Sequence, residues 1–183
     1  RLDMHGAYIA ERRFDEARFF SERRKFNPPE EPSQINLHSD VESEGVLVLA
    51  VNQQERELAL EKITIPEKSI IIVAHPMCHF SYNAMMAINS DPDLTGVFSQ
   101  HAIWIAPVSR NSYFDTLQQW NNKQTSIQIK IVYNSNEWPW ISSWETPNFY
   151  FLHKGRVVDQ VTGWPQEGNR ESIIRAVKKL WPN

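Results

Sequence analysis

The side chains best suited to chemistry stand close together: His75, Met77, Cys78, His79 and Ser81 all fall between positions 75 and 81. Cys78 is the only cysteine among 183 residues, so the chain can form neither an intrachain disulfide nor an all-cysteine zinc site. A cysteine attacks as the thiolate. That form is favoured at the first turn of a helix, where free backbone amides and the macrodipole both act on the sulfur. Here His79 and His75 can add positive charge, while Ser81 can donate a hydrogen bond to the sulfur or cap the helix. Two other readings fit the same residues. Cys78 can be a small buried apolar residue, as most free cysteines in cores are. Alternatively His75, Met77, Cys78 and His79 can form a soft-metal site, since copper favours thiolate, thioether and imidazole. Adjacent residues at a turn point in different directions, which disfavours the metal reading, and no metal ligand or cofactor is assigned.

The elements that must position this cluster follow from hydrophobic patterning. Ser69 to Ala74 is a continuous apolar run, the pattern of a central strand covered on both faces. Beyond the cluster, Tyr82 to Asn89 contains the helix formers Ala84, Met85, Met86 and Ala87, and Asp91-Pro92-Asp93 ends that helix. Cys78 therefore lies in a tight turn from strand to helix. Further strands are predicted at Val46 to Val51, Leu58 to Ile65, Ala102 to Val108 and Ile127 to Tyr133. A helix capped by Asn111 or Ser112 is predicted to run to about Asn122, with Tyr113, Leu117 and Trp120 on one side. The C-terminal part reads as a hairpin, Phe149 to Leu152 and Arg156 to Thr162 with Gly155 at the turn, followed by a helix over Glu171 to Trp181. Strands alternating with helices and ending in an antiparallel hairpin argue an α/β fold with a mixed sheet. Toward the N-terminus, Gly6 to Lys25 reads as one helix, and Asn27 to Pro32 with its three prolines is a linker. Residues 1–44 are thus a helical arm and Pro-rich linker, and 45–183 are the main domain. The arm has three options: packing on the domain, pairing with another subunit to form an oligomer, or floating free.

Composition narrows the partners. Apolar residues make up 41% and charged residues 22%, as in ordinary globular proteins. With 19 basic and 22 acidic residues the formal charge is −3, so no basic excess drives phosphate-backbone binding, and nucleic acid is not an expected partner. No stretch reaches the roughly 20 apolar residues of a membrane span. Of seven tryptophans, Trp138, Trp140, Trp144 and Trp164 are expected either to rim a peptide site or to pack in the core.

Three local patterns together resemble the thioredoxin-like superfamily, in its thiol-disulfide oxidoreductase and peroxiredoxin-like branch. They are the strand-to-helix turn Met77-Cys78-His79-Phe80-Ser81, the Thr146-Pro147 dipeptide entering Phe149 to Leu152, and the segment Lys154 to Trp164 with its following helix. The resemblance covers about Gly45 to Trp181, and the extra strand and helix between Ala102 and Asn122 are similar to the larger members. It implies a three-layer fold with a central mixed sheet, to which the N-terminal arm is an extension. It also implies that Cys78 is the attacking cysteine, that Ser81 occupies the resolving position of a C-x-x-S site, and that Pro147 is a cis-proline beside it. Thr146 and Pro147 would then offer an extended client a backbone edge. Ile72 stands where thioredoxins keep a buried acid, and Met77 where many have tryptophan. With serine at 81, a mixed disulfide on Cys78 is not resolved within the chain. The implied chemistry is attack on a client protein or glutathione disulfide, with release by an external resolving thiol. A thioredoxin-like module that binds a partner without chemistry is the alternative. The chain opens at Arg1 without an initiator Met, which together with the resemblance to exported members favours a periplasmic or secreted location, although an unpaired cysteine is equally at home in a reducing cytosol.

Overall fold

The computed structural model describes residues 2–28, 31–37, 45–52, 54–124 and 127–182. Its elements are helices α1 (Leu2–Ala10) and α2 (Phe14–Arg24), strands β1 (Gln34–Asn36), β2 (Val46–Asn52), β3 (Glu57–Ile63) and β4 (Lys68–Val73), and helices α3 (His79–Ser90) and α4 (Thr95–His101). They continue with β5 (Ala102–Ala106), α5 (Phe114–Lys123), β6 (Ile129–Val132), β7 (Asn148–His153), β8 (Arg156–Thr162) and α6 (Arg170–Leu180). The eight strands form one mixed sheet in the order β1-β3-β2-β6-β5-β4-β7-β8. β4, β5 and β6 are parallel neighbours, and β7 and β8 close one side as an antiparallel hairpin.

Alternation along each strand divides the core in two. Ile70, Ile72, Trp104, Ile129, Phe149 and Phe151 face one way, and the buried residues of all six helices join them there. Ile71, Val73, Ile105, Val132, Tyr150 and Leu152 face the other way. This second face is covered by Trp138, Trp140, Ile141 and Trp144 from the connection between β6 and β7. The expected three-layer arrangement is corrected accordingly: helices lie on one face, and an aromatic loop covers the other. Connectivity explains it. The chain steps from β4 to β5 to β6 in one direction along the sheet, and right-handed crossovers taken in the same direction place their helices on the same face. The uninterrupted apolar run Ile70 to Ala74 is needed under either cover, and all five of its residues are fully buried.

The N-terminal arm packs on the domain, with Ile9, Phe14 and Ala17 in the helix-side core. The expected single helix is two. Arg12 adopts a left-handed backbone, φ 59, and breaks it. The Arg12 guanidinium then donates from Nε to the Tyr133 carbonyl at 3.0 Å and from Nη2 to the Val132 carbonyl, capping the end of β6. Within the expected linker, residues 29–30 lie outside the described residues. The short β1 pairs in parallel with β3 at the sheet edge. Helix α4 was not anticipated, because its seven residues present one fully buried apolar side chain, Phe98. The start of α5 falls after Tyr113, whose backbone is left-handed at φ 48, rather than after Asn111 or Ser112.

Candidate active site at the β4 to α3 turn

Register brings the site together. β4 and β7 pair antiparallel with Val73 opposite Asn148, so the residues just before Asn148 arrive beside the residues just after Val73. Thr146 and Cys78, 68 positions apart, thereby touch: the Cys78 thiol donates to the Thr146 carbonyl with Sγ and O 3.4 Å apart. The Thr146-Pro147 bond is cis. The turn itself is wound on His75. Its carbonyl accepts from Cys78 N–H at 2.9 Å, its Nδ1 accepts from Met77 N–H at 3.2 Å, and its own N–H donates to Ser81 Oγ at 3.3 Å. Cys78 consequently occupies the N-cap of α3 with an extended backbone.

This position works on the thiol in two directions. Burial pushes its pKa up, and the opposing hydrogen bonds outweigh burial. They come from the Thr146 side chain, the Ser81 amide and hydroxyl, and the Phe80 amide, so the net pKa lies below the ordinary thiol value. Bonds donated to sulfur stabilise the thiolate, whereas the contact to the Thr146 carbonyl suits the protonated thiol, so Thr146 attends both states. Ser81 is fully buried. Its oxygen is occupied as acceptor by the His75 amide, which leaves its hydroxyl proton for the sulfur.

The histidines behave differently from the sequence expectation. Burial lowers the pKa of His75, so it carries less charge than a free imidazole, and its ring stands edge-on to Tyr113 at 4.7 Å. His79 is exposed and lies against the Phe80 ring, with centroids 3.8 Å apart; it is not among the groups acting on the sulfur. Among the described residues, no three His, Cys, Asp or Glu side chains converge as metal ligands, and no helix is long and apolar enough to cross a membrane.

Beside the turn runs an open groove of about 400 Å³ lined by Phe80, Thr146, Pro147, Thr162, Trp164 and Pro165, with Gly163 and Asn169. None of these carries charge. The Asn169 amide donates to the carbonyls of Thr162 and Gly163, and Gly163 N–H donates to the Pro147 carbonyl, so much of the groove's polarity is satisfied internally. Phe80 is 43% exposed and gives the groove apolar surface, and Met77, in the same turn, is 62% exposed. Of the four tryptophans singled out, Trp164 alone lines this groove. Trp138, Trp140 and Trp144 belong to the core of the second sheet face.

Sequence reasoning overlooked Asn148 and Tyr150, which are fully buried and hydrogen-bonded to each other at 3.0 Å. The available signal was an asparagine opening a strand otherwise made of aromatic and aliphatic residues. Compared with protein-family models, with curated proteins and with solved structures, the chain matches none.

Proposed function

We propose that this protein is a thioredoxin-like monothiol thiol-disulfide oxidoreductase in which Cys78 is the nucleophile. The observation that carries the reading is the placing of Cys78 at the N-cap of α3, with its sulfur between the Ser81 side chain and Thr146 and its pKa below that of a free thiol. The motif resemblance supports it, and so do the mixed sheet and the strand, turn and helix around Cys78, although the sheet is larger than that of thioredoxin. In the proposed reaction the Cys78 thiolate attacks a disulfide R–S–S–R′. An S–S bond forms between Cys78 and R while R′ leaves as its thiolate, so no net oxidant is consumed. Because the chain holds no second cysteine, an external thiolate R″S⁻ then attacks the R sulfur of this mixed disulfide, forming R–S–S–R″ and releasing Cys78 as its thiolate. The uncharged groove would seat the segment flanking the client cysteine.

The test is the rate of Cys78 reaction with a disulfide as a function of pH, with mass spectrometry identifying the adduct. The expected result is a single adduct on Cys78 and a midpoint below the roughly 8.5 of a free cysteine. A midpoint at that ordinary value, or no adduct, overturns the proposal. A second reading, a binding module without chemistry, is favoured by the exposed Phe80 lining the groove. It predicts that Cys78→Ser retains partner binding undiminished, whereas the oxidoreductase reading predicts loss of covalent capture.

A further inference from the structure

Asn148 follows Pro147 directly and has no exposed surface. Its Oδ1 accepts from Gln160 Nε2 and from Thr162 Oγ1, each at 3.1 Å, and its Nδ2 donates to Tyr150 Oη at 3.0 Å. The Tyr150 hydroxyl in turn donates to the Ser143 carbonyl at 2.8 Å and accepts from Ser143 N–H at 2.9 Å. One phenolic oxygen thus ties a residue ahead of Thr146 to a residue behind it. The sheet does not do this work, because the pairing of β7 with β4 and with β8 stops at Asn148. Beyond that point the segment is held by the Gly163 to Pro147 hydrogen bond and by the Tyr150 to Ser143 pair.

The setting makes this network expensive. Tyr150 stands in an otherwise apolar core with Ile71, Val73, Ile105 and Trp138, where phenylalanine would fill the same space without a hydroxyl to desolvate. Buried polar groups tolerated in such surroundings must be satisfied, and when satisfied they fix one geometry. The segment whose geometry is fixed here is the one that carries Thr146. We infer that Asn148 and Tyr150 are positioning residues, whose shared network clamps residues 143–148 so that Thr146 is held against the Cys78 sulfur. This rests on the reading of Cys78 as a nucleophile.

Tyr150→Phe removes a single oxygen at constant shape, and the pH–rate profile of Cys78 with an uncharged disulfide reads the effect. Its midpoint is expected to rise by about half to one pH unit, with the rate at neutral pH falling about twofold to fourfold, as expected for weakening one hydrogen bond to a charged group. Thr162→Val, at the exposed end of the network, provides a variant that spares the fold and is expected to move the midpoint the same way by less. Asn121→Leu supplies the contrast. Asn121 is buried and exchanges two hydrogen bonds with the Ile129 backbone, so its loss lowers Tm and leaves the midpoint in place. If Tyr150→Phe lowers Tm while both it and Thr162→Val keep the wild-type midpoint, the network is merely structural and the inference fails alone. If the wild-type midpoint is that of a free thiol, the nucleophile reading fails and takes the inference with it.

Discussion

Ser81→Ala is the most informative single change at the turn, because the Ser81 hydroxyl serves two partners. Its oxygen accepts from the His75 amide at 3.3 Å, and its proton is available to the Cys78 sulfur, where it helps hold the thiol pKa down. A hydrogen bond to a charged group contributes about 1.5–3 kcal/mol. The sulfur is only partly buried, and solvent screening argues for the lower end, about 1.5 kcal/mol. At 1.36 kcal/mol per unit, this is a rise of about one pH unit in the thiol pKa. The rate consequence is smaller than tenfold, since a more basic thiolate is a better nucleophile. With a Brønsted coefficient of about 0.4–0.5, the high-pH plateau rises about threefold while the rate at neutral pH falls about threefold to fourfold. The assay is stopped-flow release of a coloured thiol from an uncharged aromatic disulfide across pH 5 to 10. A wild-type and a variant profile that cross is the expected signature. Superimposable profiles would refute the claim that Ser81 acts on the sulfur. A uniform drop at every pH would show damage to the turn, as loss of the His75 amide's partner would produce by itself.

Other perturbations have equally definite outcomes. Ser81→Cys supplies the missing second thiol, so aerobic protein should lose two hydrogens by intact mass and regain them with reductant; a mass that does not change on reduction would mean the two sulfurs do not meet. Arg12→Ala removes a guanidinium that burial holds at a pKa of about 10 and that binds the Val132 and Tyr133 carbonyls. The expected loss is about 2–3 kcal/mol, or a Tm lower by about 4–12 °C, measured by calorimetry; an unchanged Tm would mean the arm is not anchored there. His5 is buried, with Nε2 2.8 Å from Glu31 Oε1, yet burial keeps its pKa below the ordinary value. The unfolded chain then binds more protons than the native one just below about pH 6.5. Stability contributed by His5 is full above that value and fades as pH falls through the native pKa. Denaturant midpoints for His5→Gln should therefore fall less than wild type between pH 7 and 5, and parallel curves would dismiss the effect.

Legibility from sequence depended on whether a residue's role was local. The β4 to α3 turn was readable because an apolar run, a cysteine and a string of helix formers succeed one another. The β7 to β8 hairpin was readable because Gly155 marks a turn where it and Lys154 both take positive φ. The arm's break at Arg12 was not, since arginine is a good helix former and its left-handed backbone is stabilised by carbonyls some 120 residues away. The roles of Trp138, Trp140 and Trp144 depend on which sheet face lacks helices, a property of strand order. Likewise the contact between Cys78 and Thr146 is set by the register of β4 against β7, and the Asn148 and Tyr150 network is visible only once that register is known.

The aromatic cover on the second sheet face has a consequence for how the molecule breathes. A loop that covers a sheet makes fewer mutual backbone hydrogen bonds than a helix, so its detachment is expected at a free energy below that of global unfolding. Detachment of residues 138–144 takes Ser143 away from the Tyr150 hydroxyl and so loosens the segment bearing Thr146. Amide exchange in the loop and the reactivity of a thiol on the opposite side of the sheet would then report one opening equilibrium. Agents that tighten the loop would tune the sulfur without touching it.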